Sequence, residues 1–327
     1  MSGLIAAPYT LFNSDFSLNL KAVPLIAEHL VRQKVNGAFV VGSTGEYASL
    51  TQEERIALAE AWRKAAGSQL KLIVHVGHNS VYDCRALARH AESIGADAIA
   101  ALMPSYFRPR TIEATVEFCR QIAEAAPHTP FYYYHIPDMT GVNLEMAALL
   151  PEIRRRVPTF RGIKFTHSNM MDYSLTVADA GPDYDILFGR DEILLAGLAM
   201  GARGAVGSTY NYSAELYHKL LAAHAGAHTA EAREHQVYIQ RAILPLLKHG
   251  GHPAGKAIMA LVGIDCGPAR PPFSALAGEK LAALRADLEA IGFFEAVNAG
   301  SRKRTPSAGN VDNRHSGHSG QTIASQK

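Results

Sequence analysis

One pattern constrains the fold of this chain more than any other: a short apolar segment followed by a segment with helical periodicity, repeated eight times. The apolar segments are rich in β-branched residues, so they are predicted to be strands. They span residues 4–10, 37–42, 71–77, 98–104, 131–137, 160–166, 185–190 and 204–209. Nearly continuous apolar strands that alternate with helices are typical of a parallel sheet covered on both faces. Eight such units predict an α/β fold, a closed (β/α)8 TIM barrel.

An open, doubly wound sheet is the alternative to the barrel. It is disfavoured because the first predicted strand is not followed by the G-x-G-x-x-G turn of nucleotide-binding sheets. Residues 213–297 contain three or four further helical segments and no predicted strand. We therefore expect a barrel of residues 1–212 with C-terminal helices of residues 213–297 packed on it, the two forming one compact unit.

The helix predicted from Thr51 to Ala66 has the clearest boundary signals. Thr51 is expected to be its N-cap, and Glu54 completes the pattern of a capping box. Pro24 and Pro151 lie inside or near other helical segments, and they leave those boundaries open because proline disrupts a helix interior.

Charge and composition exclude several classes of protein. Hydrophobic residues make up 48% of the chain and charged residues 19%, which is incompatible with disorder as the main state. Residues 301–327 carry five basic residues and one acidic residue, so the rest of the chain has a net charge of −2. That balance does not indicate a nucleic-acid partner. The basic segment 298–327 is rich in Ser, Gly, Asn and His, and it is expected to be a disordered tail.

The sequence also carries expectations about location. It contains no uncharged apolar run near the about 18 residues that a membrane helix requires, and no signal-peptide pattern. Cys84, Cys119 and Cys266 are far apart and fit no zinc or redox spacing. Free thiols are typical of a reducing compartment, so a cytoplasmic protein without a membrane partner is expected.

The polar residues that follow the predicted strands are the candidates for function, because a barrel carries its chemistry at the C-terminal ends of its strands. Alternation along strand 6 places Lys164 on the face opposite Ile163 and Phe165, so the lysine is expected to point into the barrel. Gly162 and Gly189 are expected to leave room around its amine.

Two interpretations of Lys164 remain open at this point. It could reach solvent or pair with a buried carboxylate, as buried lysines commonly do. It could instead be an amine with a lowered pKa that forms a Schiff base with a ketone. Tyr134 could likewise be a core aromatic residue, or a proton relay if it lies beside a reactive lysine.

The string GSTGE at residues 42–46 also has two interpretations. It could be a plain tight turn, in which glycine supplies the backbone geometry. It could instead be an anion-binding turn, in which backbone N–H groups and the hydroxyls of Ser43 and Thr44 hold a carboxylate. It lacks the spacing and the lysine of a nucleotide-binding P-loop.

Histidines on or near the strands raise the alternative of a metal barrel. They are His75, His78, His135 and His167. No pair has metal-binding spacing, and His135 falls on the face opposite Tyr134, so we expect no metal.

Several strings resemble one known family, N-acetylneuraminate lyase, within the dihydrodipicolinate synthase and pyruvate-aldolase superfamily. They are GSTGE, YYYHIPDMTGV, FRGIKFT, FGRDE and GAVGSTYN, with GKAIMALVG and GPARPPF in the C-terminal helices. The resemblance runs from about Leu4 to Phe294 and implies a TIM barrel, usually a homotetramer, that acts on pyruvate without a metal or other cofactor.

The resemblance also implies roles for particular residues. Lys164 matches the Schiff-base lysine and Tyr134 the tyrosine that moves the proton. Ser43 and Thr44 match the residues that hold the pyruvate carboxylate. Tyr106 matches a position whose tyrosine reaches into a neighbouring subunit's site. The residues that resemble those lining the polyol end of the open-chain sugar are Thr166, Gly189, Asp191, Glu192 and Ser208.

One position separates the members of the superfamily. Dihydrodipicolinate synthases carry an arginine two residues beyond the proline that follows strand 5, where this chain has Met139. The resemblance therefore implies reversible cleavage of N-acetylneuraminate to N-acetylmannosamine and pyruvate. A related aldolase or dehydratase acting on a 2-keto-3-deoxy sugar acid is the near alternative, and a non-catalytic barrel that binds a keto acid is the remote one.

Overall fold

Eight parallel strands close into a barrel in the order of the chain, in a computed structural model that describes residues 1–298. The strands are β1 (Gly3–Ala6), β2 (Gly37–Val40), β3 (Lys71–His75), β4 (Ala98–Ala101), β5 (Phe131–His135), β6 (Phe160–Phe165), β7 (Asp185–Phe188) and β8 (Gly204–Gly207). All eight predicted strands are confirmed, and the open-sheet alternative is wrong. Each strand ends before its predicted segment does, because the last residues of each segment leave the sheet at the barrel mouth.

Helices connect the strands and cover the outside of the barrel. They are α1 (Val23–Arg32), α2 (Gln52–Ala66), α3 (Val81–Ser93), α4 (Ile112–Ala123), α5 (Pro137–Thr140), α6 (Met146–Arg156), α7 (Met170–Ala180), α8 (Leu194–Ala199) and α9 (Tyr210–Ala225). The predicted capping box of α2 is present, because Thr51 Oγ1 accepts from the N–H of Glu54 and the Glu54 side chain accepts from the N–H of Thr51. Pro24 lies in the first turn of α1, and Pro151 lies inside α6.

Four more helices follow the barrel. They are α10 (Thr229–Lys248), α11 (His252–Leu261), α12 (Gly278–Ala290) and α13 (Phe293–Asn298). The domain boundary predicted at residue 212 falls inside α9, whose backbone is non-helical at Ser213. Asn298, the first residue of the predicted tail, ends α13, and the rest of that tail lies outside the described residues. No helix within residues 1–298 is long and apolar enough to cross a membrane.

The side chains of the strands separate into two apolar layers, one inside the barrel and one between the strands and the helices. On β6, Ile163 and Phe165 belong to the outer layer, as predicted. On the neighbouring strands, Tyr134 and Leu187 belong to the inner layer. The alternation therefore directs the side chain of Lys164 into the barrel, where it is 4% exposed.

The two glycines beside Lys164 have a different role from the expected one. A Cβ atom on Gly162 would lie 2.0 Å from the main-chain oxygen of Asp185, and one on Gly189 would lie 2.1 Å from Thr166 Oγ1. These glycines permit close approach of β7 and of the Thr166 side chain, instead of leaving space for the amine.

Candidate active site

The amine of Lys164 lies between two aromatic rings inside the barrel. Its Nζ is 3.9 Å from the centre of the Phe39 ring and 4.0 Å from the centre of the Tyr134 ring. Tyr134 and Lys164 are paired directly across the β5–β6 ladder, which brings the two candidate catalytic side chains together. Lys164 forms no ion pair of 4.0 Å or less with any residue among 1–298.

Burial determines the charge state of this lysine. Because the barrel interior solvates an ammonium group poorly, burial lowers the pKa of Lys164 from 10.5 to about 7, although the charge of Asp191 acts in the opposite direction. A large fraction of the amine is therefore neutral at physiological pH. A neutral, buried amine can attack a carbonyl carbon, whereas an ordinary surface lysine is almost fully protonated.

The hydroxyl of Tyr134 links the lysine to the turn that follows β2. It lies 3.3 Å from the hydroxyl of Ser43, and either oxygen can be the donor. Burial raises the pKa of Tyr134 to about 12, although Ser43 acts to lower it. The phenol is therefore protonated at neutral pH, and it can pass a proton along a hydrogen-bonded pair but cannot persist as a free phenolate.

The GSTGE turn contributes to a cavity of about 500 Å³ at the C-terminal ends of the strands. Ser43, Thr44 and Ser208 line it together with residues of the C-terminal helices. The turn is closed by main-chain hydrogen bonds from Glu46 N–H to the Ser43 oxygen and from Tyr47 N–H to the Gly42 oxygen. Hydroxyls at a well-defined turn that contacts Tyr134 are suited to a carboxylate ligand.

Thr166 and Gly189 lie together at the ends of β6 and β7. The main chain of Thr166 donates to His135, and Gly189 donates to Phe165, which extends the barrel ladder by one residue on each strand. The hydroxyl oxygen of Thr166 is buried, and the Thr166 side chain, like Ser43, acts to lower the pKa of Tyr134. Thr166 therefore lies close to the candidate catalytic phenol.

Asp191 lies at the edge of the site and not among the residues found to line the cavity. Its Oδ2 accepts hydrogen bonds from the main chain of Thr209 (3.0 Å) and from Thr209 Oγ1 (2.6 Å). A Cβ atom on Gly207 would lie 1.9 Å from Asp191 Oδ1. Because the adjacent Val206 points into the barrel, this contact places the carboxylate on the helix side of β8. Burial raises the pKa of Asp191 to about 6, against the opposing hydrogen bonds of Thr209.

Glu192 is more accessible than its neighbour, with a side chain 41% exposed. Its Oε1 is 3.2 Å from Arg190 Nη1, and Arg190 also pairs with Asp138. The main-chain oxygen of Glu192 accepts from Gln236 and Gln240 of α10, which ties the loop after β7 to the C-terminal helices.

Tyr106 does not line the cavity that Ser43 lines, although its neighbour Ser105 does. Tyr106 is 79% exposed and packs edge-on against the exposed Phe107 in the loop between β4 and α4. Both residues line a separate groove of about 1070 Å³ beside α4. Within one chain, the structure therefore does not bring Tyr106 to Lys164.

The histidines do not converge on a metal site. His75 Nδ1 is 2.9 Å from the Val41 oxygen, whereas the buried ring of His135 contacts Phe165 and His167 on the outer side of the barrel. Among residues 1–298, no three His, Cys, Asp or Glu side chains are grouped so that they could hold a metal ion. The absence of a metal from the working protein stays a prediction.

Sequence patterns alone did not identify several residues of the site. Phe39 forms one side of the Lys164 environment, and the ring of His75 packs edge-on against both Tyr47 and Tyr134. Tyr47 and His252 line the cavity. Alternation on β2 could have placed Phe39 inside the barrel, but no local pattern indicates that His252 returns to the barrel mouth.

Comparisons with known proteins agree with this geometry. Residues 1–291 match the family model described as the dihydrodipicolinate synthetase family. N-acetylneuraminate lyase of Xenopus tropicalis is 43% identical over 276 residues, covering 83% of this chain and 90% of that protein. N-acetylneuraminate lyase of Mus musculus is 39% identical, covering 94% of this chain and 98% of that protein. The structure of Proteus mirabilis N-acetylneuraminate lyase is similar, with a TM-score of 0.87, 40% identity and coverage of 90% of this chain and 99% of that one.

The buried amine leads to a prediction about stability. The folded-state pKa of Lys164 lies below its unfolded value, so burial of the protonated amine lowers the free energy of unfolding. This destabilisation is greatest at and below pH 7 and disappears as the pH rises toward 10. Lys164→Met should remove that destabilisation and raise the free energy of unfolding at pH 7 by about 4 kcal/mol. Urea denaturation at pH 7 and pH 9.5 measures the gain and its decrease with pH.

Lys248→Met is a matched control, because Lys248 is an exposed residue paired with Asp287. It should change the free energy of unfolding by less than about 1 kcal/mol. A lower free energy of unfolding for Lys164→Met at pH 7 would show that burial of the amine does not destabilise the folded protein.

Proposed function

The chain belongs to the dihydrodipicolinate synthetase family, and from this we propose that it is a carbon–carbon lyase, a Schiff-base aldolase that cleaves N-acetylneuraminate reversibly to N-acetylmannosamine and pyruvate. The observation that carries the proposal is the buried amine of Lys164 packed against Tyr134, whose hydroxyl lies 3.3 Å from the hydroxyl of Ser43 in the cavity wall. The relatives at about 40% identity are named for the same reaction.

The reaction begins with attack of the neutral amine of Lys164 on the C2 ketone of the open-chain sugar acid. Loss of water gives an iminium ion, which acts as the electron sink. The C4 hydroxyl loses its proton, and the C3–C4 bond breaks, leaving an enamine and releasing N-acetylmannosamine. The enamine is protonated at C3, and hydrolysis of the iminium ion consumes one water and releases pyruvate, so that no water is gained or lost overall.

Tyr134 is the group proposed to move the proton from the C4 hydroxyl. Its phenol, with a pKa near 12, is a weak acid, so it is suited to relay a proton through the Ser43 hydroxyl rather than to remove one alone. Thr44 and the neighbouring-subunit Tyr106 are the further hydroxyl groups that we propose for this network. Ser43 and Thr44 also hold the substrate carboxylate.

The sugar end is proposed to bind around Thr166, Gly189, Glu192 and Ser208. The family resemblance also implies a role for Asp191 at this end, but its carboxylate lies on the helix side of β8 and is held by Thr209, so we do not propose a direct contact between Asp191 and the sugar. Met139 also lines the cavity, at the position where a dihydrodipicolinate synthase would need a cation for a second carboxylate. The carboxylate and hydroxyl side chains at this end can hydrogen-bond to a polyhydroxylated, uncharged sugar tail. They are less suited to a substrate with a second carboxylate.

We further propose that the enzyme works without a metal or cofactor, as a cytoplasmic homotetramer. The exposed Tyr106 and Phe107 support an assembly in which a neighbouring copy covers them, because burying two large aromatic side chains would stabilise such an interface. The free and buried thiols of Cys84, Cys119 and Cys266 are compatible with a reducing compartment.

Covalent trapping tests the proposed mechanism. Borohydride added in the presence of pyruvate should leave one reduced adduct per chain, located by mass spectrometry on the peptide that contains Lys164. Lys164→Ala should show no adduct and should lose essentially all cleavage of N-acetylneuraminate, because no other group supplies the electron sink. An adduct on another lysine, or active protein without an adduct, would contradict the mechanism.

Glu192→Asn tests the identity of the substrate. It should leave pyruvate trapping unchanged, because the pyruvate end is held elsewhere. Loss of a charge-assisted hydrogen bond of about 1.5–3 kcal/mol should lower kcat/KM for N-acetylneuraminate about tenfold to a hundredfold and shift preference among analogues with altered C6–C9 tails. Cleavage of a panel of 2-keto-3-deoxy sugar acids measures the shift.

Glu289→Gln is a suitable control for that variant, since Glu289 forms an exposed pair with Arg285. It should leave the ranking of substrates unchanged. The same ranking in Glu192→Asn would favour the sister aldolases over an N-acetylneuraminate lyase.

A further inference from the structure

The turn that carries Ser43 and Thr44 ends at Glu46, a residue that the proposed mechanism does not use. Its backbone is left-handed (φ 56°, ψ 34°), a conformation that is uncommon outside glycine and persists only where the surroundings hold it. Its side chain is 1% exposed. A buried carboxylate destabilises the folded protein unless it is paired, so the contacts of Glu46 indicate its structural role.

The partners of Glu46 come from the C-terminal helices. Lys256 Nζ and His252 Nε2 lie 2.8 Å and 2.9 Å from its Oε1, and the main-chain N–H of Arg270 donates to its Oε2 at 2.8 Å. The Lys256 side chain is 3% exposed, so the ion pair is buried on both sides. Burial acts to raise the pKa of Glu46, but His252 and Lys256 outweigh it and hold the pKa below its ordinary value.

The groups that hold Glu46 are themselves anchored to the other side of the turn. Lys256 donates to the Pro268 oxygen at 2.8 Å and lies over the Phe12 ring. The guanidinium of Arg270 donates to the Ser49 and Phe16 oxygens and to both carboxylate oxygens of Glu54. The turn is thus enclosed between the loop after β1, the start of α2 and a segment more than 200 residues later.

A glycine allows α11 to come this close. A Cβ atom on Gly255 would lie 1.9 Å from the hydroxyl oxygen of Tyr9, which is buried beside β1. Only a residue without a side chain lets the helix rest on the barrel mouth and extend the adjacent Lys256 toward Glu46. The GKAIMALVG and GPARPPF strings therefore share a structural task, because Lys256 of the first and Arg270 of the second both contact the Glu46 carboxylate.

We propose that Lys256 and Glu46 form a positioning pair, which fixes the GSTGE turn so that Ser43 and Thr44 meet the carboxylate of the keto acid. Neither residue touches the reacting atoms. The inference rests on the proposed function, since it takes the ligand of the turn to be a keto-acid carboxylate. It assigns to the C-terminal helices a part in substrate recognition.

The test compares two ketones that form the same type of imine with Lys164. Pyruvate has the carboxylate that the turn would hold, and acetone lacks it. Borohydride trapping at subsaturating concentrations of each ketone, quantified by mass spectrometry of the Lys164 peptide, gives a pyruvate-to-acetone selectivity ratio. A variant that changed only the stability of the protein, or only the reactivity of the amine, would change the trapping of both ketones by the same factor. The ratio would then stay unchanged.

Lys256→Met should lower this ratio about tenfold or more, through a weaker response to pyruvate and an unchanged response to acetone, because misplaced hydroxyls no longer meet the carboxylate. Lys248→Met, a change of the same type at an exposed ion pair, should leave the ratio as in the parent protein. Lys256→Met also leaves Glu46 buried without its main partner, which can prevent folding.

If Lys256→Met does not fold, the double variant Glu46→Gln, Lys256→Met provides the test. It removes both charges, so no unpaired carboxylate is buried. It should fold, as shown by its melting transition, and still have the lowered ratio. A parent-like ratio in a folded Lys256→Met or in the double variant would overturn the inference. Failure of the parent protein to trap pyruvate at Lys164 would instead overturn the proposed function, so the two failures are distinguishable.

Discussion

The placement of one amine inside an apolar barrel is the constraint on which the rest of this structure depends. Lys164 projects from β6 into the inner layer, between the rings of Phe39 and Tyr134, where burial lowers its pKa to about 7. The same burial that destabilises the folded protein leaves much of the amine neutral at neutral pH, which is the state that the proposed nucleophile requires. This position of Lys164 connects three features of the fold. Strand alternation directs the amine inward, the ladder pairs it with Tyr134, and the turn after β2 also contacts Tyr134.

The fold and the inward direction of Lys164 could be predicted because both depend on local patterns, whereas the roles of Lys164 and Tyr134 are implied only by the family resemblance. The period of two along β6 separates Lys164 from Ile163 and Phe165, and a capping box at Thr51 and Glu54 marks the start of α2. The role of Gly162 could not be predicted, because it depends on the main-chain oxygen of Asp185 on the next strand. Only three-dimensional packing shows that Gly162 is required by its neighbour and not by the lysine.

The rest of the site depends on contacts between distant parts of the chain, which single-sequence patterns do not encode. The carboxylate of Asp191 is held by Thr209 on the helix side of β8, and Glu46 is held by Lys256 of α11. The two ends of the site thus differ in origin. Barrel strands supply the amine of Lys164 and the phenol of Tyr134. The C-terminal helices help to position the binding loops, because Lys256 contacts the loop after β2 and Gln236 contacts the loop after β7.

The most direct test of this account is the pKa of Lys164 in the folded protein. Lysines labelled with ¹³C at Cε can be followed by NMR over a pH titration, and the resonance that is missing from Lys164→Met identifies the residue. We predict that this resonance titrates with a midpoint near pH 7. A midpoint near 10, as for an ordinary solvated lysine, would contradict the claim that burial in the barrel generates the nucleophile.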